Sequence, residues 1–224
     1  MSDVALLVQC GDCGVQWIKY FMHYYNKNWI CDYFIDTMFL FETQVPDTTT
    51  HNKNVSIKTT GKHAWGECMI RGLTDSKYKY IILIHEDYFL TEKQDVLQMK
   101  KLLKIAEDND MNLLKICGEW SGWTGAEKIH IGEISDKEKI YEYSKVGPYI
   151  TSHQMSIWNR EYLLKTIVAG ENPWQHEVIG HCRAQKIPGK IFTYVAPQPM
   201  PYAECVTAGG YRAGNEKWFE VDLK

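Results

Sequence analysis

Apolar positions along this chain switch repeatedly between two spacings. Val4–Val8 is a short unbroken apolar run, the mark of a strand covered on both faces. From Gly14 to Asn28 the spacing becomes helical, with Trp17, Phe21 and Tyr24 or Tyr25 on one face. Thr37–Phe41 is strand-like again. Val45–Gly61 is polar, holds Pro46 and a run of Thr, and reads as a loop. Ala64–Leu73 is helical. Tyr80–His85 is apolar on both faces and β-branched, as a central buried strand requires. Lys93–Asp108 is an amphipathic helix with Val96, Met99, Leu103 and Ala106 at helical spacing.

The second half is patterned less sharply. Leu113–Cys117 predicts a strand. The stretch from Glu119 to Val146 reads as a loop followed by a short strand at Ile140–Tyr143, and Tyr149–Trp158 holds another strand. Arg160–Val168 is a helix capped by Asn159 and closed by Gly170. Pro173–Gln185 is a helix with Asn172 as its cap and proline at its first position. Ile191–Val195 is the last clear strand, and the Gly- and Pro-punctuated tail beyond Pro197 reads as partly mobile.

Strands alternating with helices predict an α/β fold: a single Rossmann-like domain with a mostly parallel central sheet flanked by helices. In such sheets ligands bind outside the carboxyl ends of the strands. A formal net charge of −3 leaves no cationic surplus for a nucleic-acid backbone, so nucleic acid is not expected as the main partner. The opening residues lack the basic stretch and long apolar run of a secretion signal, and no stretch is long enough to span a bilayer. Seven cysteines at irregular spacing predict free thiols in a reducing compartment, hence the cytoplasm.

Candidate chemistry gathers where strands end. Glu86 and Asp87 directly follow the most buried-looking strand. Adjacent carboxylates there can hold a divalent cation, Mn²⁺ or Mg²⁺, and through it a diphosphate. A solvated turn is the plainer alternative. Glu177 or His176, in the first turns of a well-capped helix, can serve as a general base, or else simply complement the helix dipole. His176 and His181 are five apart, one too many for a zincin pair. Asp12, after the first strand, can touch a bound nucleotide, and Glu42, after the second, can accept hydrogen bonds from a ribose or base or be an exposed loop acid. Arg71 can pair with a phosphate or with the acidic pair, though a surface arginine is the commoner outcome. The Gly209–Arg212 element can fold over a diphosphate, bringing Arg212 with it, or be a loose end. Cys10 and Cys13, between a strand and a helix, form a Cys-x-x-Cys motif, and thiol–disulfide exchange is the rival chemistry. There is no P-loop and no Gly-x-Gly-x-x-Gly.

The segment Tyr80–Leu90 resembles the strand and acidic pair of small GT-A-type glycosyltransferases of bacteria and of viruses or phages. Trp65 and Arg71 on the preceding helix, Ser156–Arg160, Asn172–Glu177 and the tail Tyr202–Arg212 match the same pattern in the same order. The resemblance implies transfer of a sugar from a nucleotide-diphosphate donor to a hydroxyl on a glycan or other acceptor. Glu86 and Asp87 stand where the family carries Asp-x-Asp or Asp-Asp, with Glu replacing the first Asp. Glu177 takes the place of the base, and Trp174 lines the acceptor or sugar pocket. The resemblance divides the single domain of residues 1–224 into a nucleotide-binding part at about 1–118, an acceptor-side part at about 119–200 and a mobile tail at about 201–224. A nucleotide-sugar- or carbohydrate-binding module without catalysis is the remaining alternative.

Overall fold

The structure is a computed structural model that describes residues 3–46, 50, 54–62, 64–117, 128–135, 138–143, 149–195, 197–207 and 210–223. In chain order the elements are β1 (Val4–Cys10), α1 (Ile18–Asn28), β2 (Asp36–Phe41), β3 (Val55–Thr59), α2 (Trp65–Thr74), β4 (Tyr80–His85), β5 (Tyr88–Leu90) and α3 (Val96–Asp108). Then follow β6 (Leu113–Lys115), β7 (Lys128–Ser135), β8 (Glu138–Tyr143), β9 (Ser156–Asn159), α4 (Arg160–Thr166), α5 (Pro173–Lys186) and β10 (Ile191–Val195). The last strands are β11 (Tyr202–Glu204), β12 (Val206–Thr207) and β13 (Gly210–Tyr211).

Among the described residues, nine strands form one sheet in the order β3-β2-β1-β4-β9-β6-β10-β8-β7. Only β9 and β8 run against the rest, so the sheet is mostly parallel, as the alternation of elements predicts. Its centre is β1, paired in parallel with β2 on one side and β4 on the other. Every residue of β1 and β4 is buried. Alternate side chains therefore feed two cores. Leu6, Val8, Ile82 and Ile84 pack with α1 and α3. Leu7, Ile81 and Leu83 pack against Trp65, Met69 and Leu73 of α2, Tyr162 of α4 and Ala184 of α5.

Several elements depart from expectation. The expected loop before Gly61 contains β3, an edge strand parallel to β2. Its only apolar residues are Val55 and Ile57, and Ile57 is exposed, so one-sided burial left too weak a signal. The stretch read as a loop and one strand holds the β7–β8 hairpin, while residues 118–127 of the expected loop lie outside the described residues. The tail is packed: β11 pairs with β5, Phe219 contacts Trp17, Tyr20, Phe89 and Tyr211, and Trp218 lies against Tyr24. Gly209 lies outside the described residues. No helix among the described residues is long and apolar enough to cross a membrane.

The joint between α2 and the α4–α5 connection is a close backbone approach. Gly66 donates its N–H to Glu171 O (2.9 Å), and a Cβ at Gly66 would sit 2.1 Å from Val168 O. Glu171 in turn takes two bonds from Arg183 of α5 (2.7 and 2.6 Å) and one from Val168 N–H (2.8 Å). Gly66→Ala must push backbone against backbone, and is expected to cost about 1–3 kcal/mol. Urea unfolding would measure it. An unchanged midpoint would mean that α2 and the Val168 carbonyl do not approach this closely.

Candidate active site

The parallel register brings the ends of three strands together. Gln9 of β1 lies opposite His85 of β4, and Cys10 lies opposite Phe41 of β2. The segments that leave these ends, Gly11–Gly14, Glu42 and Glu86–Asp87, open into a cleft of ≈ 940 Å³. The amino end of α5 and the β11–β13 tail complete its walls with Trp174, Glu177, Glu204 and Arg212.

Most of the expected residues meet here. Glu86, Asp87, Glu42, Trp174, Glu177 and Arg212 all line the cleft. Glu86 is buried over Gly14, where a Cβ would fall 1.5 Å from Glu86 Oε1, so only glycine leaves the carboxylate this place. Trp174 is 61% exposed at the mouth. Two expectations fail. The Arg71 guanidinium donates to Thr60 O (3.1 Å) and does not line the cleft, because the first turn of α2, not its last, faces the site. Asp12 acts as a brace behind it: its carboxylate accepts from Thr43 N–H (3.0 Å), Thr43 Oγ1 (2.5 Å) and Gln44 N–H (3.2 Å), while its own N–H donates to Glu42 Oε2 (2.8 Å).

The carboxylates crowd one another. Burial, reinforced by Asp87 and Glu42, pushes Glu86 well above the usual carboxylate range. Burial also lifts Asp87 to about 7, with its own backbone N–H and Arg212 pulling down and Glu177 pushing up. Glu177 is raised by burial too, against the His153 N–H, which donates to Glu177 Oε1 at 2.6 Å, and the nearby Lys115 ammonium. Lys115 is itself lowered to about 8 by burial. Arg212 pairs with Glu204, and the Cys205 N–H donates to Asp87 O (2.8 Å), so the tail is tied to the acidic strand end.

Three histidines form a row, of which His85 and His153 line the cleft. His85 Nε2 meets His153 Nδ1 (3.0 Å), and His153 Nε2 meets His176 Nδ1 (2.8 Å). The ends of the row are Gln9, 3.0 Å from His85 Nδ1, and Thr166 Oγ1, 3.0 Å from His176 Nε2. Trp65 stacks on His153 at 4.9 Å between ring centroids. Burial holds His85 down to about 4 and His176 to about 3, so the row is neutral. His176 is fully buried inside it and does not line the cleft, whereas Glu177 does. Gln9, His85 and His153 were not among the expected site residues. His85 adjoins the acidic pair, but pairing across 68 and 76 residues leaves no mark in the sequence.

The thiol rival loses its physical basis. Cys10 is fully buried, and both Cys10 and Cys13 have their thiols pushed up by burial and by neighbouring carboxylates. A redox-active cysteine needs the opposite shift. Among the described residues no three His, Cys, Asp or Glu side chains converge on one metal position.

No protein-family model and no curated protein matches this sequence. Solved structures do. The S. aureus TarS fragment 1–349 superposes with a TM-score of 0.56 at 12% identity, over 90% of this chain and 59% of that one. The same fragment in complex with UDP-GlcNAc gives 0.54 at 10%, over 88% and 58%. A cytidylyltransferase from Leptospira borgpetersenii gives 0.50 at 13%, over 91% and 82%. The chain therefore spans about three fifths of the TarS fragment. At these identities the likeness shows the fold, a GT-A-like α/β domain.

Asp87 gives the cleft a pH signature. In metal-free protein the native state keeps a proton on Asp87 up to about pH 7, whereas the unfolded chain releases it near pH 4. Between those values each rise in pH removes stability, by up to about 1.4 kcal/mol per unit. The neutral histidines act oppositely, gaining stability as pH rises towards 6.5, so the difference between wild type and Asp87→Asn is the quantity to read. Wild type is expected to lose stability relative to the variant from about pH 4 to about pH 7. A constant difference across that window would contradict a raised Asp87.

Proposed function

We propose that the protein is a glycosyltransferase, moving a sugar from a nucleotide-diphosphate donor to a hydroxyl on a glycan or other acceptor in the cytoplasm. The observation that carries this reading is the cleft at the carboxyl ends of β1, β2 and β4, with Glu86 and Asp87 at its centre and Glu177 across it. TarS, a glycosyltransferase of the same fold, has been solved with UDP and with UDP-GlcNAc, which favours a nucleotide sugar as the donor.

Charge supports assistance by a metal. Five carboxylates line the cleft among the described residues: Glu42, Glu86, Asp87, Glu177 and Glu204. Arg212 is the one guanidinium there, and it is paired with Glu204. A diphosphate entering alone would meet net repulsion. Mn²⁺ or Mg²⁺ is commonly held by one or two carboxylates and completed by substrate phosphates, so the Glu86–Asp87 pair is enough for a cation that arrives with the donor. Glu86 and Asp87 would hold it, and it would neutralise charge developing on the leaving diphosphate. Arg212 adds to the same end of the cleft.

Glu177 is the base in this reading. Its Oε1 is fixed by the His153 N–H, and burial raises its proton affinity, which suits removal of a proton from an acceptor hydroxyl as attack proceeds. The Trp174 ring at the mouth offers an apolar face to a sugar.

Two measurements test the reading. With Mn²⁺ present and the matching nucleoside diphosphate at 100 times its dissociation constant, stabilisation of about 2.7 kcal/mol is expected, or about 5–10 °C in Tm. The shift should vanish without metal and in Asp87→Ala. No shift with any nucleotide, in folded protein, would favour a different ligand class. Once a donor and acceptor are known, Glu177→Gln should lower turnover about 10²–10⁴-fold while donor affinity stays within about twofold. Full turnover in that variant would remove Glu177 from the role of base.

A further inference from the structure

Among the described residues, five buried side-chain nitrogens lack a hydrogen-bond partner: Gln9 Nε2, the indole nitrogens of Trp29, Trp65 and Trp158, and Arg160 Nε. Gln9 and Trp65 are the two that line the cleft, where they are 2% and 3% exposed. A buried polar group left unmet is costly, and where such a group lines a cleft a ligand atom or a bound water supplies the partner.

The histidine row fixes what Gln9 presents. The Thr166 hydroxyl donates to Leu163 O (2.7 Å), so it must accept from His176 Nε2. His176 Nδ1 then accepts from His153 Nε2, and His153 Nδ1 from His85 Nε2. His85 Nδ1 is left as an acceptor, and only the Gln9 amide nitrogen can serve it. A half-turn of the amide keeps its shape, satisfies that bond and leaves the oxygen at the unmet corner. The floor thus holds one unmet acceptor, Gln9 Oε1, and one unmet donor, the Trp65 N–H, on two residues that line the cleft. The Trp65 ring is held by stacking on His153 (4.9 Å) and His176 (5.0 Å). Around this floor the walls are acidic, so a metal and diphosphate belong to the walls and an uncharged group to the floor.

The geometry points to a glycosyl subsite on this floor, where Gln9 and the Trp65 N–H together bind a hydroxyl or amide group of the donor's sugar. The inference rests on the transferase reading above. It makes Gln9 and Trp65 specificity-determining residues: they recognise the sugar and leave the nucleoside and the diphosphate to the rest of the cleft.

Calorimetric titration with Mn²⁺ and a panel of UDP- and GDP-linked hexoses and N-acetylhexosamines identifies the donor that wild type binds. Trp65→Phe and Gln9→Met are then titrated with that nucleotide sugar and with the matching free UDP or GDP. Each variant should bind the nucleotide sugar about three- to tenfold more weakly, as expected for one hydrogen bond, and the free diphosphate within about twofold of wild type. The Tm of ligand-free Trp65→Phe should fall by about 2–10 °C, the loss expected from the smaller ring's packing, while the variant stays folded at the titration temperature. Equal losses for both ligands would assign the floor to the nucleoside and overturn the proposal, as would no loss for either. Should one variant fail to fold, the other decides by the same comparison. A wild type that binds no nucleotide sugar and no nucleoside diphosphate would overturn the transferase reading itself, whereas normal nucleotide-sugar binding by folded variants would overturn only the subsite.

Discussion

Burial of β1 and β4 on both faces is the constraint from which the rest of the architecture follows. Strands that show water neither side need helices above and below, and α1 and α3 cover one face while α2, α4 and α5 cover the other. Helices can cover both faces only if the connections cross over, which keeps β1, β2 and β4 parallel. Parallel strands end together, so Gln9, Glu42, Glu86 and Asp87 reach one cleft although they come from three separate parts of the sequence.

The strand ends were legible because they obey a simple rule. An apolar run such as Tyr80–His85 that stops abruptly at two acids places those acids at the rim of a buried sheet. The α5 cap was legible for a similar reason: Asn172, Pro173 and Gln175 form a capping box, which fixes where the helix begins and so where Trp174 and Glu177 stand. Arg71 misled because the position of a helix does not disclose which of its ends faces the site. Asp12 misled because a carboxylate in a loop can bind backbone N–H groups as readily as a ligand. The polar floor was not legible at all. His85, His153 and His176 come from a strand end, a turn region and a helix, and only folding brings them within hydrogen-bonding distance.

The floor and Glu177 also depend on each other. His153 contributes its ring to the histidine row and its backbone N–H to the Glu177 carboxylate. His176 lies in the same row and immediately precedes Glu177 in α5. The position of Glu177 relative to Asp87 is therefore set by a network running from Gln9 through the sheet end to Thr166, with α5 held from the other side by Arg183 on Glu171. Held in this way, the Glu177 carboxylate has a defined place on the wall of the cleft.

The cleft separates its charges in space. Carboxylates raised by burial and mutual repulsion store unfavourable energy in the ligand-free state, and any cation placed among them releases part of it. The neutral row does the reverse: its ring nitrogens are spent on one another and on Gln9 and Thr166, so it carries no charge for a phosphate to meet. Arg212 stands between the two regimes. It is paired with Glu204 and close enough to Asp87 to pull its proton affinity down, and it belongs to a tail segment joined to the acidic strand end through Cys205 N–H and Asp87 O. A diphosphate drawn in by a cation would compete with Glu204 for that guanidinium.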